Sequence, residues 1–351
     1  MHETHEAGMA DALRLTRAGR LSEATALLQR LLRQEPAATP ADSPPPQGRG
    51  LVQRLLDGLR GLRRPRPATA PPTRAPGRFE AGTYANAAGT RGYKLYIPTG
   101  AGGRPRPLVV MLHGCTQSPD DFAAGTRMNE LAEEARCYVV YPEQCAKANP
   151  HRCWNWFQPD DQRRDVGEPS LIAGITREIV RRHPIDPARI YVAGLSAGGA
   201  AAAIMAEAYP DLFAAVGIHS GVAPGVARDV RSALSVMKHG PNGAAARGWT
   251  VPTILFHGDA DQVVHPGNGD LLATAMLQDA ERLRCELETG TSEGGLAYTR
   301  ATWADAEGRI RHERWTVHGG GHAWSGGSSE GSYTEPRGPD ASRALLCFLL
   351  A

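Results

Sequence analysis

The stretch Arg189-Ile190-Tyr191-Val192-Ala193-Gly194-Leu195-Ser196-Ala197-Gly198-Gly199-Ala200-Ala201-Ala202-Ala203-Ile204-Met205 decides the reading of this chain. A short apolar run suited to a strand enters Gly194-Leu195-Ser196-Ala197-Gly198, and a run of small residues suited to a helix leaves it. A strand-to-helix turn this tight needs small residues on both sides of the serine, because the two backbones nearly touch. It pushes the Ser196 hydroxyl out at the top of a sheet and aims the first amides of the helix at the same point. Gly-x-Ser-x-Gly also recurs by chance as a structural turn. The strand before it and the helix after it mark Ser196 as a nucleophile.

Outward from that turn, apolar runs alternate with helical patterns. Residues 79–84 and 93–97 predict an opening antiparallel pair, and 107–112 an apolar strand ending at His113-Gly114. Further strands are expected over 137–141, 189–193, 214–219 and 253–256, with a late pair at 297–303 and 309–317. Helical spacing predicts helices over 123–135, 171–182 and 270–284 and a closing one over 341–350. Such alternation calls for an α/β fold, a mostly parallel central sheet covered by helices on both faces. Ligands of such sheets bind beyond the carboxyl ends of the strands, where Ser196 falls.

A serine hydroxyl is a poor nucleophile at neutral pH. It needs a base within hydrogen-bond reach, and the base needs an orienting carboxylate. In this fold class the acid and then the histidine follow the serine along the chain. Phe256-His257-Gly258-Asp259-Ala260-Asp261-Gln262-Val263-Val264 comes straight off a strand and offers two acids. Asp261 is the choice, because Val263 and Val264 can anchor the loop behind it; Asp259 is the alternative, with turn capping as its plain role. In Val317-His318-Gly319-Gly320-Gly321-His322-Ala323-Trp324 the glycines let a loop bend. His322 is the expected base, since His318 still belongs to the strand end. His219, His257 and His265 are read as supporting or surface histidines. The oxyanion of a tetrahedral intermediate needs donors: the Ala197 amide is one by geometry, and the Cys115 backbone N–H, after His113-Gly114, is the expected second.

The chain has 351 residues and a net charge of +2, which gives no general electrostatic case for nucleic acid. Residues 1–36 read as a helical hairpin, and 37–78 as a Pro- and Arg-rich linker with a short amphipathic helix. This arm could contact a granule or other surface, and the catalytic domain is expected over 79–351. No secretory signal and no apolar run of membrane-spanning length is visible, so the expected location is the cytoplasm. No C-x-x-C pair appears, which argues against a zinc ribbon or a thioredoxin motif. Cys137 and Cys347 sit in apolar runs and read as buried thiols. Cys145 and Cys153 flank a short loop, and with Cys115 they could supply a disulfide, the pairing left open.

Six ordered segments carry a resemblance: Leu112-His113-Gly114-Cys115-Thr116-Gln117, Tyr141-Pro142-Glu143-Gln144, Cys153-Trp154-Asn155-Trp156-Phe157, Gly194-Leu195-Ser196-Ala197-Gly198-Gly199, His257-Gly258-Asp259-Ala260-Asp261 and Gly321-His322-Ala323-Trp324-Ser325-Gly326-Gly327. With the segment 331–342 they make residues 79–351 resemble the polyhydroxybutyrate depolymerase family of esterases. The resemblance implies an α/β-hydrolase fold, a Ser196-Asp261-His322 triad and no metal cofactor. It implies short-chain hydroxyalkanoate polyesters or oligomers as substrates, with feruloyl and acetylxylan esterases as relatives and an extracellular site in many members. Trp154, Trp156, Trp324 and Tyr333 are expected to line the cleft, since aromatic faces give an ester chain flat apolar contact. A peptidase of the same fold and an inert, surface-binding scaffold are the competing readings.

Overall fold

The apolar runs hydrogen-bond into a ten-stranded sheet in the computed structural model, which describes residues 75–351 apart from 242, 244–246, 279 and 281. The strands are β1 (Arg78–Asn86), β2 (Gly89–Ile97), β3 (Arg106–Leu112), β4 (Tyr138–Pro142), β5 (Ile185–Leu195), β6 (Ala215–His219), β7 (Thr253–Gly258), β8 (Arg284–Thr291), β9 (Ala297–Ala304) and β10 (Ile310–Val317). They lie in the order β1-β2-β4-β3-β5-β6-β7-β10-β9-β8. The run from β4 to β10 is parallel, with antiparallel β1-β2 and β9-β8 extending its two edges. The carboxyl ends of β3, β5, β7 and β10 therefore meet on one side, and all the candidate catalytic groups follow those ends.

A central parallel strand must bury both faces, and alternate residues do so against different layers. Leu108, Val110 and Leu112 of β3 join one apolar cluster, and Val109 and Met111 join the other. Among the described residues seven α-helices supply the layers: α1 (Pro119–Thr126), α2 (Met128–Ala135), α3 (Gly167–Arg182), α4 (Ala197–Ala208), α5 (Val230–His239), α6 (Gly267–Met276) and α7 (Ala341–Leu350). Ile172 and Ile175 of α3, Ile204 and Met205 of α4, Val236 of α5 and Leu272 of α6 pack on the first face. Phe122 of α1, Leu131 of α2 and Leu345 of α7 pack on the second. The expected α/β architecture and its α/β-hydrolase form are what the chain adopts. The hairpin and linker expected before residue 75 lie outside the described residues.

Local expectations differ at three places. The helix expected over 123–135 is two, broken at Arg127, whose φ is 54°. The break turns the Arg127 guanidinium 2.9 Å from Asp340, the N-cap of α7, so a tertiary ion pair overrides helical spacing. The helix expected over 270–284 ends at Met276, and Arg284 opens β8 instead. That edge strand is exposed along almost its whole length, so it carries no apolar alternation to betray it. Helix α5 was also not anticipated; its signal was the Asp229–Ser232 capping box, in which the Ser232 N–H donates to Asp229 at 2.7 Å.

Candidate active site

Ser196 sits between β5 and α4 at φ 58° and ψ −119°, a left-handed position that costs a non-glycine residue about 1–3 kcal/mol. The flanking glycines make that turn possible. A Cβ on Gly194 would lie 2.3 Å from the Gly198 carbonyl oxygen, and one on Gly198 would lie 2.0 Å from that of Leu112. The Ser196 N–H donates to the His219 carbonyl at 2.9 Å, locking the turn to β6. Ala197 opens α4, so its N–H belongs to the helix's unsatisfied first turn.

The loops after β7 and β10 are tied together before they deliver acid and base. The Asp259 N–H donates to the Val317 carbonyl and the Ala260 N–H to that of Gly320, both at 3.1 Å. Asp261 Oδ1 accepts the Val263 and Val264 amides at 2.9 Å, the anchoring the sequence suggested. Its Oδ2 accepts the His322 Nδ1–H at 2.7 Å. Burial raises the Asp261 pKa, but His322, His257 and the Val264 amide outweigh it and hold the carboxyl below its ordinary value. With the proton on Nδ1, His322 keeps Nε2 as an acceptor for a serine hydroxyl. The structure brings Asp261 rather than Asp259 to His322. Asp259 instead accepts the His318 Nδ1–H at 2.8 Å and the Gly319 N–H at 2.7 Å. Asp261 and His322 are buried, and Ser196 is half-buried.

Two further histidines support this pair. The His219 ring stacks between Phe256 and Trp324, with centroids at 5.6 and 5.1 Å, and its Nε2 accepts the Ser325 N–H at 3.0 Å. Burial, with His257 and His322 nearby, pushes its pKa down to about 3, so it is neutral and free to accept. His257 Nε2 donates to the Val264 carbonyl at 2.9 Å and lies 3.6 Å from Asp261 Oδ2. His265 is exposed.

The loop after β3 faces the serine: a Cβ on Gly114 would stand 3.6 Å from Ser196 Cβ. Burial pushes His113 down to about 4 and keeps it neutral. Its Nδ1–H donates to the Gly114 carbonyl at 2.7 Å, and its Nε2 accepts the Gln144 N–H at 3.1 Å. Gln117 accepts the Gly114 N–H at 2.9 Å and donates to Asp121 at 2.9 Å. Cys115 is disulfide-bonded to Cys153, Cα to Cα 4.2 Å, which fixes the pairing; Cys145 and the buried Cys137 are free. Cys347, expected to be buried, is exposed on the outer side of α7. The supporting groups Gln117, Asp121, Gln144 and Glu168 were not singled out from the sequence. Gln117 and Gln144 lie inside the quoted segments, whereas Glu168 reads only as a first-turn acid.

The aromatic cleft expected from the sequence needs correction. Trp154 is 0% exposed and donates its Nε1–H to the His113 carbonyl at 3.1 Å. Trp324 is 1% exposed, edge-on to Phe122 and bonded to Ser342 Oγ at 2.9 Å. Trp156 is buried against Phe157. The three indoles are buried core supports, and the N–H groups of Trp154 and Trp324 are satisfied inside, so they offer no open face to an acyl chain. Tyr333 differs: half-buried at φ 52°, it meets Thr116 Oγ1 at 3.0 Å, beside Cys115. Among the described residues no cluster of His, Cys, Asp and Glu could hold a metal ion, and no helix is long and apolar enough to cross a membrane.

A serine on a glycine-flanked strand-to-helix turn, followed in the chain by an acid and histidine joined at 2.7 Å, is the arrangement of the α/β-hydrolase fold. The chain belongs to the Esterase PHB depolymerase family, whose model matches residues 91–286, taking in Ser196 and Asp261 and stopping short of His322. It is similar to the poly(3-hydroxyalkanoate) depolymerase C of Paucimonas lemoignei, 32% identical over 240 residues, which cover 65% of this chain and 57% of that protein. It is also similar to a putative esterase, NocK, of Nocardia uniformis subsp. tsuyamanensis, 29% identical over 68% of this chain and 72% of that one. The feruloyl esterase B of Thermothelomyces thermophilus is 31% identical over 44% of this chain and 51% of its own. Among solved structures, an acetyl xylan esterase from Aspergillus awamori superposes with a TM-score of 0.55 at 19% identity, covering 69% of this chain and 94% of its own, a likeness of fold.

Proposed function

We propose that the protein is a serine carboxylic ester hydrolase working through an acyl-enzyme on short-chain poly(3-hydroxyalkanoate) polyester or its oligomers. One observation carries the reading: the Asp261–His322 pair stands at the sheet end that holds the left-handed Ser196. Ser196 Oγ attacks the ester carbonyl while His322 Nε2 takes its proton. Asp261 holds the Nδ1–H tautomer and steadies the imidazolium. The Ala197 and Cys115 amides receive the oxyanion. His322 returns the proton to the leaving alcohol, then activates water to release the acid. Tyr333 is the proposed substrate contact at the rim.

Similarity to the Paucimonas depolymerase supports a polyester substrate, and similarity to the feruloyl esterase supports a general short-chain esterase as the second reading. The Cys115–Cys153 disulfide favours an oxidising compartment over the cytoplasmic expectation. Granule contact through residues 1–74 remains a separate proposal, tested by particle binding after their removal. Hydrolysis of p-nitrophenyl butyrate and of an amorphous polyhydroxybutyrate suspension, each with Ser196→Ala as control, tests the function. Serine-dependent clearing of the suspension supports the depolymerase. Turnover of the soluble ester alone supports the esterase, and no serine-dependent turnover refutes both.

A further inference from the structure

A buried ionic network lies behind the oxyanion loop, away from Ser196, Asp261 and His322. Glu168, at the start of α3, is 5% exposed. Its Oε1 accepts from Arg91 at 3.3 Å, from Asn155 Nδ2 at 2.8 Å and from Gln144 Nε2. Its Oε2 accepts the Asn155 N–H at 2.7 Å. Every partner is a donor, so the site is built for a carboxylate rather than for an amide or a carboxylic acid. From there two routes, one of hydrogen bonds and one of a hydrogen bond and a disulfide, lead to Cys115. Gln144 donates its backbone N–H to His113 Nε2, and His113 donates to the Gly114 carbonyl next to Cys115. Gln144 also donates its side-chain amide to the Cys153 carbonyl at 2.9 Å, and Cys153 is bonded to Cys115.

We propose that ionised Glu168 is a positioning residue for the oxyanion hole, clamping the 144–155 loop so that both routes hold the Cys115 amide toward the serine. The inference rests on the reading of that amide as an oxyanion donor. A buried ion pair is weak evidence for stability, because desolvation offsets its attraction, which makes a positional role the better account of this one. The charged groups facing Glu168 are Arg91 from β2 and Asp161 from the turn Asp160–Gln162, whose Oδ1 accepts the Glu168 N–H at 2.7 Å. The 144–155 loop contributes the neutral amides of Gln144 and Asn155. Burial and then Asp161 raise the Glu168 pKa to about 7 despite Arg91. The clamp is therefore complete above neutrality and is lost as pH falls through that region.

The test is the kcat and KM of Glu168→Gln on p-nitrophenyl butyrate between about pH 5.5 and 9, per active site titrated with a fluorophosphonate. The expected result is a kcat about tenfold to a hundredfold lower with KM within about twofold, because a misplaced donor weakens the transition state and not ground-state binding. On the acid side, the wild-type log kcat is expected to fall more steeply than that of Glu168→Gln, the difference in slope approaching about one, from Glu168. A wild-type kcat per titrated site with an unchanged pH profile would overturn the proposal and leave only a packing role. Should Glu168→Gln not fold, Arg91→Met is read instead. Without its cation Glu168 ionises later, so the acid limb moves upward by at least about half a pH unit, and an unmoved limb overturns the proposal. Turnover that persists in Ser196→Ala would overturn both this inference and the hydrolase reading beneath it.

Discussion

Replacing Gly198 by alanine tests whether the serine turn and the oxyanion loop are held by direct backbone contact. The added Cβ would stand 2.0 Å from the Leu112 carbonyl oxygen, 2.5 Å from its carbon and 2.6 Å from the His113 oxygen. Real Cβ contacts stop near 3.0 Å, so one backbone must retreat by about 1 Å (3.0 less 2.0). Neither side is free to move cheaply. Leu112 is wholly buried and pairs with Gly194 in the β3–β5 ladder, and α4 is packed along its buried face. Because the added Cβ also meets the His113 carbonyl oxygen, the push is passed to His113-Gly114-Cys115, whose displacement takes the Cys115 amide from the oxyanion. A misplacement of this size costs about a hundredfold in kcat, and the strain costs about 1–3 kcal/mol of stability. Steady-state kinetics on p-nitrophenyl butyrate, with thermal unfolding, reads both. Gly321→Ala is the matched control: nothing lies within 4 Å of its would-be Cβ, and its backbone is ordinary, so stability stays within about 0.5 kcal/mol. A Gly198→Ala protein as active as the parent would refute the close-contact argument.

Other outcomes follow from the same geometry. Asp261→Asn lowers kcat by about 10⁴-fold, whereas Asp259→Asn, which disturbs only the His318 and Gly319 contacts, lowers it by less than about tenfold; the reverse order in steady-state rates would show that the wrong acid was chosen. Cys115→Ser with Cys153→Ser frees a loop of sequence separation 38, removing up to about 4 kcal/mol in denaturant unfolding, yet leaves far more activity than Ser196→Ala because the backbone amide remains. Trp324→Phe loses the Ser342 hydrogen bond and about 1 kcal/mol of stability, with KM for the butyrate ester unchanged; a large rise in KM would restore it to the cleft. His113 and His219 are held neutral with pKa values near 4 and 3 when folded, so below about 6.5 the unfolded chain binds the extra protons and stability falls with pH. Each contributes a loss of about 2 kcal/mol by about pH 5. Glu168, raised when folded, acts in the opposite sense, so thermal unfolding of Glu168→Gln is expected to show the steeper loss on acidification.

The parts of the fold that were legible are those in which burial dictates residue type. Strand β3, residues 190–195 of β5 and strand β7 are buried on both faces and are therefore written mostly in apolar residues, and the Ser196 turn cannot be written without Gly194 and Gly198. Asp261 and His322 were legible because a chain order and two anchoring valines narrow the choice. What escaped was decided by distant contacts. The break at Arg127 answers to Asp340, and exposed β8 takes its conformation from pairing with β9. The tryptophans misled for a related reason: an indole in a short motif looks the same whether its N–H meets a ligand or, as with Trp154 and His113, a buried carbonyl. Glu168 was invisible because its meaning lies in Arg91, Gln144 and Asn155, which the chain brings to it from β2 and the 144–155 loop.

The most direct test of the central claim is mass spectrometry of the full chain after exposure to a fluorophosphonate, with the adduct located by peptide mapping. The account predicts a single adduct on Ser196, formed rapidly in the parent, slowly in His322→Ala and absent in Ser196→Ala. No adduct in the parent, or an adduct on another residue that survives Ser196→Ala, would contradict it.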